Sequence, residues 1–313
     1  MKTYPVRVVP VRLEPHPNAD SLSIVRVGGF QCVVRTSAWE GVDIGAFVPP
    51  DSVVPEALAP VPGATRIRAV KLRGEYSEGL LVPAPEGAAI GDDVADVLGI
   101  THYEPVPEER GIQQGDSPPS WCPTYDLDNA RSVGGRRWDI GAPLVITEKI
   151  HGENWRAVFA DGRLYVGSRT EWKVRATPDG RLTVPWAALE SHPEIVAWLE
   201  SHPGHTVYGE AYGGVGKFPY DVTNGRKIRV FDIYTGGRFL DWPDVAASGL
   251  PLVPVLDVVD WAGDVASLNP YAEGMTTLGG KHIREGAVVR PVSERGGERG
   301  VLKLVGRAYL AKG

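Results

Sequence analysis

The apolar positions in the first third of the chain fall in short β-branched runs that Gly, Pro and Asp residues interrupt. Runs of this length and spacing predict many short strands, and therefore a small β-barrel or sandwich. Of these we favour an OB-like β-barrel, placed at residues 1–104. The predicted strands are Val6–Val9, Ile24–Val27, Cys32–Val34, Ala46–Val48, Ile67–Val70 and Gly79–Val82.

One segment of this module, Thr65–Arg73, alternates basic and apolar residues. A strand here buries Ile67 and Ala69 and turns the basic side chains outward. Such a face suits a phosphate backbone, although an ordinary solvated strand face explains the pattern equally well. The candidates for contact with nucleic acid are Arg66, Arg68, Lys71 and Arg73.

A stretch rich in Pro, Gly, Gln and Ser follows, and it predicts a linker at residues 105–137. Its second half contains Trp121, Tyr125 and Leu127. These apolar side chains are expected either to anchor the segment on a neighbouring domain or to form an aromatic surface contact.

Residues 138–313 change to strands interleaved with a helical pattern at Pro185–Glu200, which Pro193 is expected to split in two. This order indicates a mixed α+β domain built on antiparallel sheet. The predicted strands are Arg156–Phe159, Arg163–Val166, His205–Tyr208, Ile228–Phe231 and Ala287–Arg290.

Composition narrows the function classes. The formal net charge of −6 argues against wholesale coating of nucleic acid, so any such ligand must be held by a local basic patch. Neither an apolar run of roughly 18 residues nor a signal-peptide pattern at Met1–Pro5 is found in the sequence. Cys32 and Cys122 lack the CxxC spacing of a zinc knuckle. We expect a cytoplasmic monomer with no membrane partner.

The candidate chemistry begins where the apolar run Pro143–Ile146 delivers Lys149 into a polar turn closed by Gly152. A lysine presented in this way can be a nucleophile, or simply a solvated side chain at a strand end. The first interpretation gains support because further polar elements follow at strand ends in a fixed order. These elements are Lys149–Gly152, Gly167–Thr170, Val207–Glu210, Val230–Ile233, Glu285–Arg290 and Leu302–Leu304.

In this order the elements resemble motifs I, Ia, III, IIIa, IV and V of the covalent nucleotidyltransferase superfamily, which contains ATP-dependent ligases and capping enzymes. Glu148–Asn154 resembles motif I of nick-sealing RNA ligases, with histidine two residues and asparagine five residues after the lysine. DNA ligases typically have an acidic residue at the position of His151.

The resemblance extends over nearly the whole chain. The turn His16–Leu22 resembles the corresponding turn of tRNA-binding OB domains. Asp51–Glu56, Val70–Gly74 and Arg307–Leu310 resemble a bacterial branch of RNA ligases that carries an N-terminal OB domain. The resemblance implies an ATP-dependent RNA ligase that seals 5′-phosphate to 3′-OH ends at nicks in RNA or RNA/DNA duplexes, through lysyl-AMP and RNA-adenylate intermediates, with a role in RNA repair.

The resemblance also implies roles for the catalytic residues. Lys149 forms the adduct with AMP, and His151 assists that step near the phosphates. Asn154 acts when the activated 5′ end meets the 3′-OH, and Arg169 contacts the sugar or the incoming 5′ phosphate. Lys303 neutralises the α-phosphate during transfer.

Glu210 and Glu285 are expected to organise the ribose and to bind Mg²⁺ or Mn²⁺. Either Phe231 or Ile228 packs against adenine. The full set expected to bind ATP is Glu148, Lys149, Ile150, Gly152, Arg169, Glu210, Ile228, Phe231, Glu285 and Lys303, with the backbone of Glu148 and Ile150 reading the adenine edge.

The single lysine of motif V and the charge of Lys149 each need an explanation. Relatives commonly have Lys-x-Lys in motif V, whereas here Val301 and Val305 flank Lys303, so either one lysine suffices or Arg299 substitutes. An ordinary lysine is neutral in only roughly one molecule in a few thousand at pH 7, so the site must lower the pKa of Lys149.

The alternatives to an RNA ligase are a DNA ligase, a GTP-dependent capping-type enzyme, and a tRNA-binding OB protein without catalysis. The phosphate-loop fingerprint is absent from the sequence, so a glycine cradle for ATP is not expected.

Overall fold

The structure, a computed structural model, describes residues 5–103, 114–119, 122–214, 218–294 and 299–312. Trp121, which was predicted to anchor the linker, lies outside the described residues. Among the helices within these ranges, none has both the length and the apolar character needed to cross a membrane.

The first hundred residues form short antiparallel sheets around two apolar clusters. The sheets have the strand orders β1-β5-β9, β2-β3-β4, β7-β8 and β6-β10. No single closed barrel is formed by the described residues, so the OB-like barrel remains a proposal. The elements are β1 (Arg7–Pro10), β2 (Glu14–Pro15), β3 (Leu22–Val27), β4 (Phe30–Arg35), α1 (Thr36–Trp39), β5 (Ile44–Val48), β6 (Ser52–Val53), a 3₁₀ turn (Glu56–Leu58), β7 (Val70–Leu72), β8 (Glu75–Ser77), β9 (Leu80–Pro83) and β10 (Thr101–His102).

The basic segment has the predicted burial but only part of the predicted strand. Ile67 and Ala69 are buried, whereas Arg68 is exposed and Arg66 is half-buried. Regular pairing is confined to β7 and β8, apart from one isolated bridge between Val53 and Arg66. The alternation therefore predicted the faces of the segment correctly.

The remaining strands build two larger sheets, in the orders β11-β20-β19-β12-β18 and β14-β13-β15-β16-β17. All pairs are antiparallel except β11 with β20, which confirms an α+β fold on mainly antiparallel sheet. The strands are β11 (Asp128–Asn129), β12 (Pro143–Lys149), β13 (Gly152–Ala160), β14 (Arg163–Gly167), β15 (Thr206–Tyr212), β16 (Lys227–Thr235), β17 (Arg238–Phe239), β18 (Val255–Asp260), β19 (Gly286–Pro291) and β20 (Leu302–Val305).

The predicted break in the helical region is confirmed. Pro193 is the first residue of the second helix, where a missing N–H is tolerated, so the pattern divides there. The helices are α2 (Ala130–Val133), α3 (Val184–Glu190), α4 (Pro193–Ser201), α5 (Trp242–Ala246), α6 (Asn269–Ala272) and α7 (Arg307–Leu310), with a 3₁₀ turn at Val265–Leu268.

The cores of the two large sheets place the candidate site between them. One cluster packs α3, α4 and α5 against the sheet that contains β13, and the indole of Trp155 at its centre donates to the Pro185 carbonyl at 3.0 Å. A second cluster lies under the sheet that contains β12. Because β12 ends at Lys149 and β13 begins at Gly152, the chain passes from one sheet to the other at the proposed nucleophile.

The described part of the predicted linker contains secondary structure. β11 and α2 lie within residues 105–137, and β11 pairs with β20. Tyr125 is buried and donates to Asp232 at 2.8 Å, which confirms its expected anchoring. The domain boundaries at 104 and 137 stay predictions.

A buried carboxylate joins the first hundred residues to the rest of the chain. Glu78 is fully buried, and Nη1 of Arg131 lies 3.0 Å from its Oε1 while Nε of Arg307 lies 2.7 Å from its Oε2. The carbonyl of Gly29 also accepts a hydrogen bond from Arg307. Two arginines from beyond the first hundred residues therefore bind one acidic group within them.

Candidate active site

Lys149 is held at a strand end that needs glycine nearby. It is the last residue of β12, where it pairs with Gly286 of β19. A Cβ at Gly152 would lie 2.4 Å from the Ala211 carbonyl oxygen and 2.9 Å from Cγ of Glu210. Gly152 therefore permits β13 to approach β15 closely, and this approach brings Glu210 towards the lysine.

Two glutamates determine the charge state of Lys149. Its Nζ lies 2.6 Å from Oε1 of Glu285, which precedes β19. Burial favours the neutral amine, but the charges of Glu285 and Glu210 outweigh burial and raise the pKa of Lys149 above its ordinary value. Burial, reinforced by Glu285 and opposed by Lys149, raises the pKa of Glu210 to about 8. Lys149 is thus an ammonium ion in this structure, whereas a nucleophile needs the opposite shift.

A cavity of about 240 Å³ brings together most of the residues predicted to bind ATP. It lies between the two large sheets, and strands of both contribute to its wall. The predicted site residues that line it are Glu148, Lys149, Ile150, Asn154, Arg169, Glu210, Phe231 and Lys303. Glu285 lies just outside, in a second cavity of about 230 Å³ that Lys149 and Lys303 also line.

Asn154 and Arg169 occupy different parts of the first cavity. Asn154 is opposite Glu210 in the β13–β15 pair, and its Oδ1 is buried with no hydrogen-bond partner among the described residues. Arg169 lies in the turn after β14, where its Nη1 is 2.6 Å from Oδ1 of Asp126 and both side chains are exposed. The buried oxygen suits a bound donor, and the exposed guanidinium suits an incoming anion.

Lys303 and Arg299, the two candidate cations of motif V, lie in different surroundings. Lys303 lies in β20, and both burial and the nearby charge of Lys149 lower its pKa. Arg299 lines neither cavity, but contacts Asp232 and stacks on Phe239 at 3.6 Å. This placement favours Lys303 alone over Arg299 as the cation beside the phosphate.

Some predicted residues lie elsewhere. Ile228 is fully buried in the core and does not line the cavity, which leaves Phe231 as the candidate beside adenine. The backbone N–H of Glu148 donates to Pro254, so contact of Glu148 with adenine would have to use its carbonyl oxygen. Neither cavity is lined by the four basic candidates of the N-terminal module, Arg66, Arg68, Lys71 and Arg73.

His151 is enclosed by aromatic residues beside the glutamate. Its Nδ1 lies 3.8 Å from Oε2 of Glu285 and 2.7 Å from the hydroxyl of Tyr309, and its backbone N–H donates to the Tyr220 hydroxyl. The ring centroid is 4.6 Å from that of Phe218. Burial lowers the pKa of His151; the charge of Glu285 opposes this effect, whereas Lys149 and His282 add to it. The imidazole is therefore neutral and closely packed.

Sequence reasoning missed two groups that shape the cavity. Tyr125 packs on Phe231 with ring centroids 4.6 Å apart, so both rings belong to the cavity wall. The buried carboxylate of Glu148 accepts hydrogen bonds from the hydroxyls of Thr276 and Thr277 and from the Thr277 N–H. The adjacent Thr276 and Thr277 are the only sequence feature that could have indicated this contact, and no local pattern connects them to Glu148.

A divalent cation fits the donor set at Lys149. Glu210 and Glu285 already act on one half-buried positive charge, the lysine ammonium. Within the described ranges, no group of three or more His, Cys, Asp or Glu residues is placed to hold a metal ion. Two carboxylates completed by water and phosphate oxygens are typical of Mg²⁺, which keeps several waters and demands few protein ligands.

Solved structures with a similar fold cover the whole chain. A Naegleria gruberi RNA ligase variant with ATP and Mn matches with a TM-score of 0.79 and 21% identity, covering 100% of this chain and 99% of that one. The same ligase with PPi matches with a TM-score of 0.76 and 22% identity, covering 100% and 98%. These matches show a shared fold.

Sequence comparison gives two further matches. The phenylalanine–tRNA ligase beta subunit of Syntrophus aciditrophicus is 32% identical over 100 residues, which is 32% of this chain and 12% of that protein. The chain thus spans about an eighth of this curated relative's length. The sequence model of the RNA ligase family matches residues 142–305, just over half of the chain and including every element from Lys149 to Lys303. The chain therefore belongs to the RNA ligase family.

Proposed function

We propose that this protein is an ATP-dependent RNA ligase that joins 5′-phosphate to 3′-OH ends at nicks in RNA or RNA/DNA duplexes. The observation that carries the proposal is the half-buried ion pair of Lys149 and Glu285, with Lys149, Glu210 and Lys303 lining one cavity. Membership of the RNA ligase family supports ligation, and the Naegleria structures with ATP or AMP and Mn support the same cofactors here. The cytoplasmic location and monomeric state stay predictions.

In the first step Lys149 loses its ammonium proton to solvent, and the free amine Nζ attacks the α-phosphorus of ATP. A nitrogen–phosphorus bond forms, the bond to pyrophosphate breaks, and the second proton passes to solvent with the release of pyrophosphate. Lys303 lines the same cavity, and burial and the charge of Lys149 lower its pKa; we propose that it neutralises the α-phosphate. Phe231 and Tyr125 supply an apolar wall for the adenine.

The carboxylates explain why a metal is needed. Glu285, which lies 2.6 Å from Lys149, favours its ammonium form, so the lysine would be a better nucleophile with another cation beside the carboxylates. A divalent ion bound there supplies that positive charge and also polarises phosphate oxygens. We therefore expect Mg²⁺ or Mn²⁺ to be required for the first step, with Glu210 and Glu285 as ligands.

The next steps transfer AMP from Lys149 to the 5′ phosphate and then displace AMP by the 3′-OH. We propose that Arg169, exposed at the edge of the cavity, binds the 5′ phosphate. Asn154 lines the cavity; its buried Oδ1 has no partner in the described part of the chain, and its amide can donate to the strand ends. In the N-terminal module, Arg68, Lys71 and Arg73 are exposed and are proposed to contact the duplex, while Arg66 is bound to Asp51.

Intact-mass measurement tests the proposal directly. After incubation with ATP and Mg²⁺ or Mn²⁺, the protein should be heavier by one AMP, and the addition should map to Lys149. A chelator should prevent the reaction. A label transferred from GTP and never from ATP would instead indicate a capping-type enzyme, and no covalent nucleotide under any metal condition would favour a non-catalytic RNA-binding protein.

Substrate preference needs a separate measurement. The likeness over 100 residues to a phenylalanine–tRNA ligase beta subunit supports RNA as a partner. Nicks whose two ends are systematically RNA or DNA should be sealed fastest when the 3′-OH strand is RNA. Equal rates on all-DNA nicks would point to a DNA ligase.

The Asn154→Ala variant should separate the steps. Its AMP adduct should form normally, whereas joining of a pre-adenylated strand should fall roughly a hundredfold, because a donor used only during sealing is lost. His151→Ala provides the opposite control, with slow adduct formation and near-normal joining of the pre-adenylated strand. Equal loss of both steps in Asn154→Ala would contradict the assigned role.

A further inference from the structure

The C-terminal helix α7 is fixed beside the candidate nucleophile. Gly306, which precedes it, donates its N–H to the Glu285 carbonyl at 2.8 Å, and a Cβ there would lie 2.6 Å from the Ala272 carbonyl oxygen. The carboxylate of Glu273 accepts from the N–H groups of Arg307 and Ala308 at 2.6 and 3.3 Å. A four-residue helix is too short to be stable alone, so these contacts hold it in place.

Tyr309 extends from this helix to His151. Its hydroxyl lies 2.7 Å from Nδ1, and its ring packs on Phe218 with centroids 5.3 Å apart. The described residues offer the phenol hydrogen no acceptor other than Nδ1. Donation by the phenol satisfies both groups, and a neutral imidazole that accepts at Nδ1 carries its hydrogen on Nε2.

We propose that Tyr309 is a positioning residue that holds the imidazole of His151, with its hydrogen on Nε2, while adenylate is transferred to Lys149. This inference rests on the proposed function. Tyr309 touches neither the lysine nor the glutamates by hydrogen bond in the described structure, and it acts through His151 alone. Its contribution belongs to adduct formation and not to the later joining step.

The same helix also carries the link to the N-terminal module. Arg307 binds the buried Glu78, and Tyr309 lies two residues further along. One short helix thus contacts both His151 and the N-terminal module, to which Arg131 of α2 is also bound. A module that is correctly attached keeps α7, and therefore Tyr309, in the position that orients the imidazole.

A double-mutant cycle tests the proposal in the full chain. Tyr309→Phe keeps the ring but removes the hydroxyl, and it should slow single-turnover adduct formation roughly tenfold, the scale of one lost hydrogen bond. In a His151→Ala background the same change should have no effect. Joining of a pre-adenylated strand should stay normal in Tyr309→Phe. The matched control is Tyr271→Phe, whose hydroxyl binds the exposed Asp257 and which should leave both steps unchanged.

The outcomes separate this inference from the proposed function. An unchanged rate in Tyr309→Phe, or an equal loss with and without His151, would overturn the positioning role while leaving the ligase assignment intact. The tautomer can be read without ATP from the imidazole ¹⁵N shifts of His151. Nε2–H in the parent protein and a mixture in Tyr309→Phe are expected, and Nδ1–H in the parent protein would overturn the proposal even if the enzyme seals RNA.

Discussion

Replacing Lys149 with methionine is expected to abolish the AMP adduct. Methionine keeps an unbranched apolar chain at the end of β12 but has no amine to form the nitrogen–phosphorus bond. The ammonium that faces Glu285 also disappears, so any remaining nucleotide binding would be non-covalent. Intact-mass measurement with ATP and Mn²⁺ should show no species heavier by one AMP, against near-complete conversion of the parent protein.

A control variant and a second assay show whether the loss of the adduct is specific to Lys149. Lys227→Met makes the same chemical change at an exposed position in β16 and should leave adduct formation unchanged. Joining of a pre-adenylated strand needs no new lysine adduct, so Lys149→Met should keep detectable activity there. An adduct that persists in Lys149→Met would show that another residue is the nucleophile, and the site assignment would fail.

The local patterns of the sequence predict five strands of the two larger sheets and the split helix that packs on one of them. Alternation and β-branched runs predicted β13, β14, β15, β16 and β19, because each of these strands packs on a core and its faces are read by side-chain period. Pro193 predicted the helix break for a backbone reason that no tertiary contact can change. In the first half, the same patterns predicted strands but not their arrangement, since pairing between strands depends on non-local contacts.

The residues of the candidate site were predicted, but the contacts between them were not. Lys149, Glu210, Phe231 and Lys303 were predicted from ordered motifs and do line one cavity. The tie between Glu148 and Thr277 was not predicted, because it joins residues 129 positions apart. The raised pKa of Lys149 also depends on distances between strands, and the sequence only indicates which carboxylates are available. The sequence pattern does not show which distant residues come into contact when the chain folds.

The Glu78→Ala variant should lower the free energy of unfolding by about 3–5 kcal/mol, the cost of leaving buried cations without their partner. Glu78 and Arg131 are both fully buried, so solvent screens this interaction little. Arg307 loses the same partner, and two guanidinium groups then face each other across an interior gap. Urea unfolding followed by fluorescence should show the loss.

Glu14→Ala is the matched control, because Glu14 pairs with Arg26 where about half of each side chain is exposed. An exposed pair of this kind contributes roughly 0–1 kcal/mol, so the control should unfold close to the parent protein. Equal stability of Glu78→Ala and Glu14→Ala would show that Glu78 does not hold the two halves together.

If Glu78→Ala stays folded under assay conditions, its adduct formation should be slower than that of the parent protein, because α7 loses one of its anchors and Tyr309 then holds His151 less firmly. Adding Tyr309→Phe to this variant should cost less than it costs in the parent protein, since both changes act on the same imidazole through the same helix.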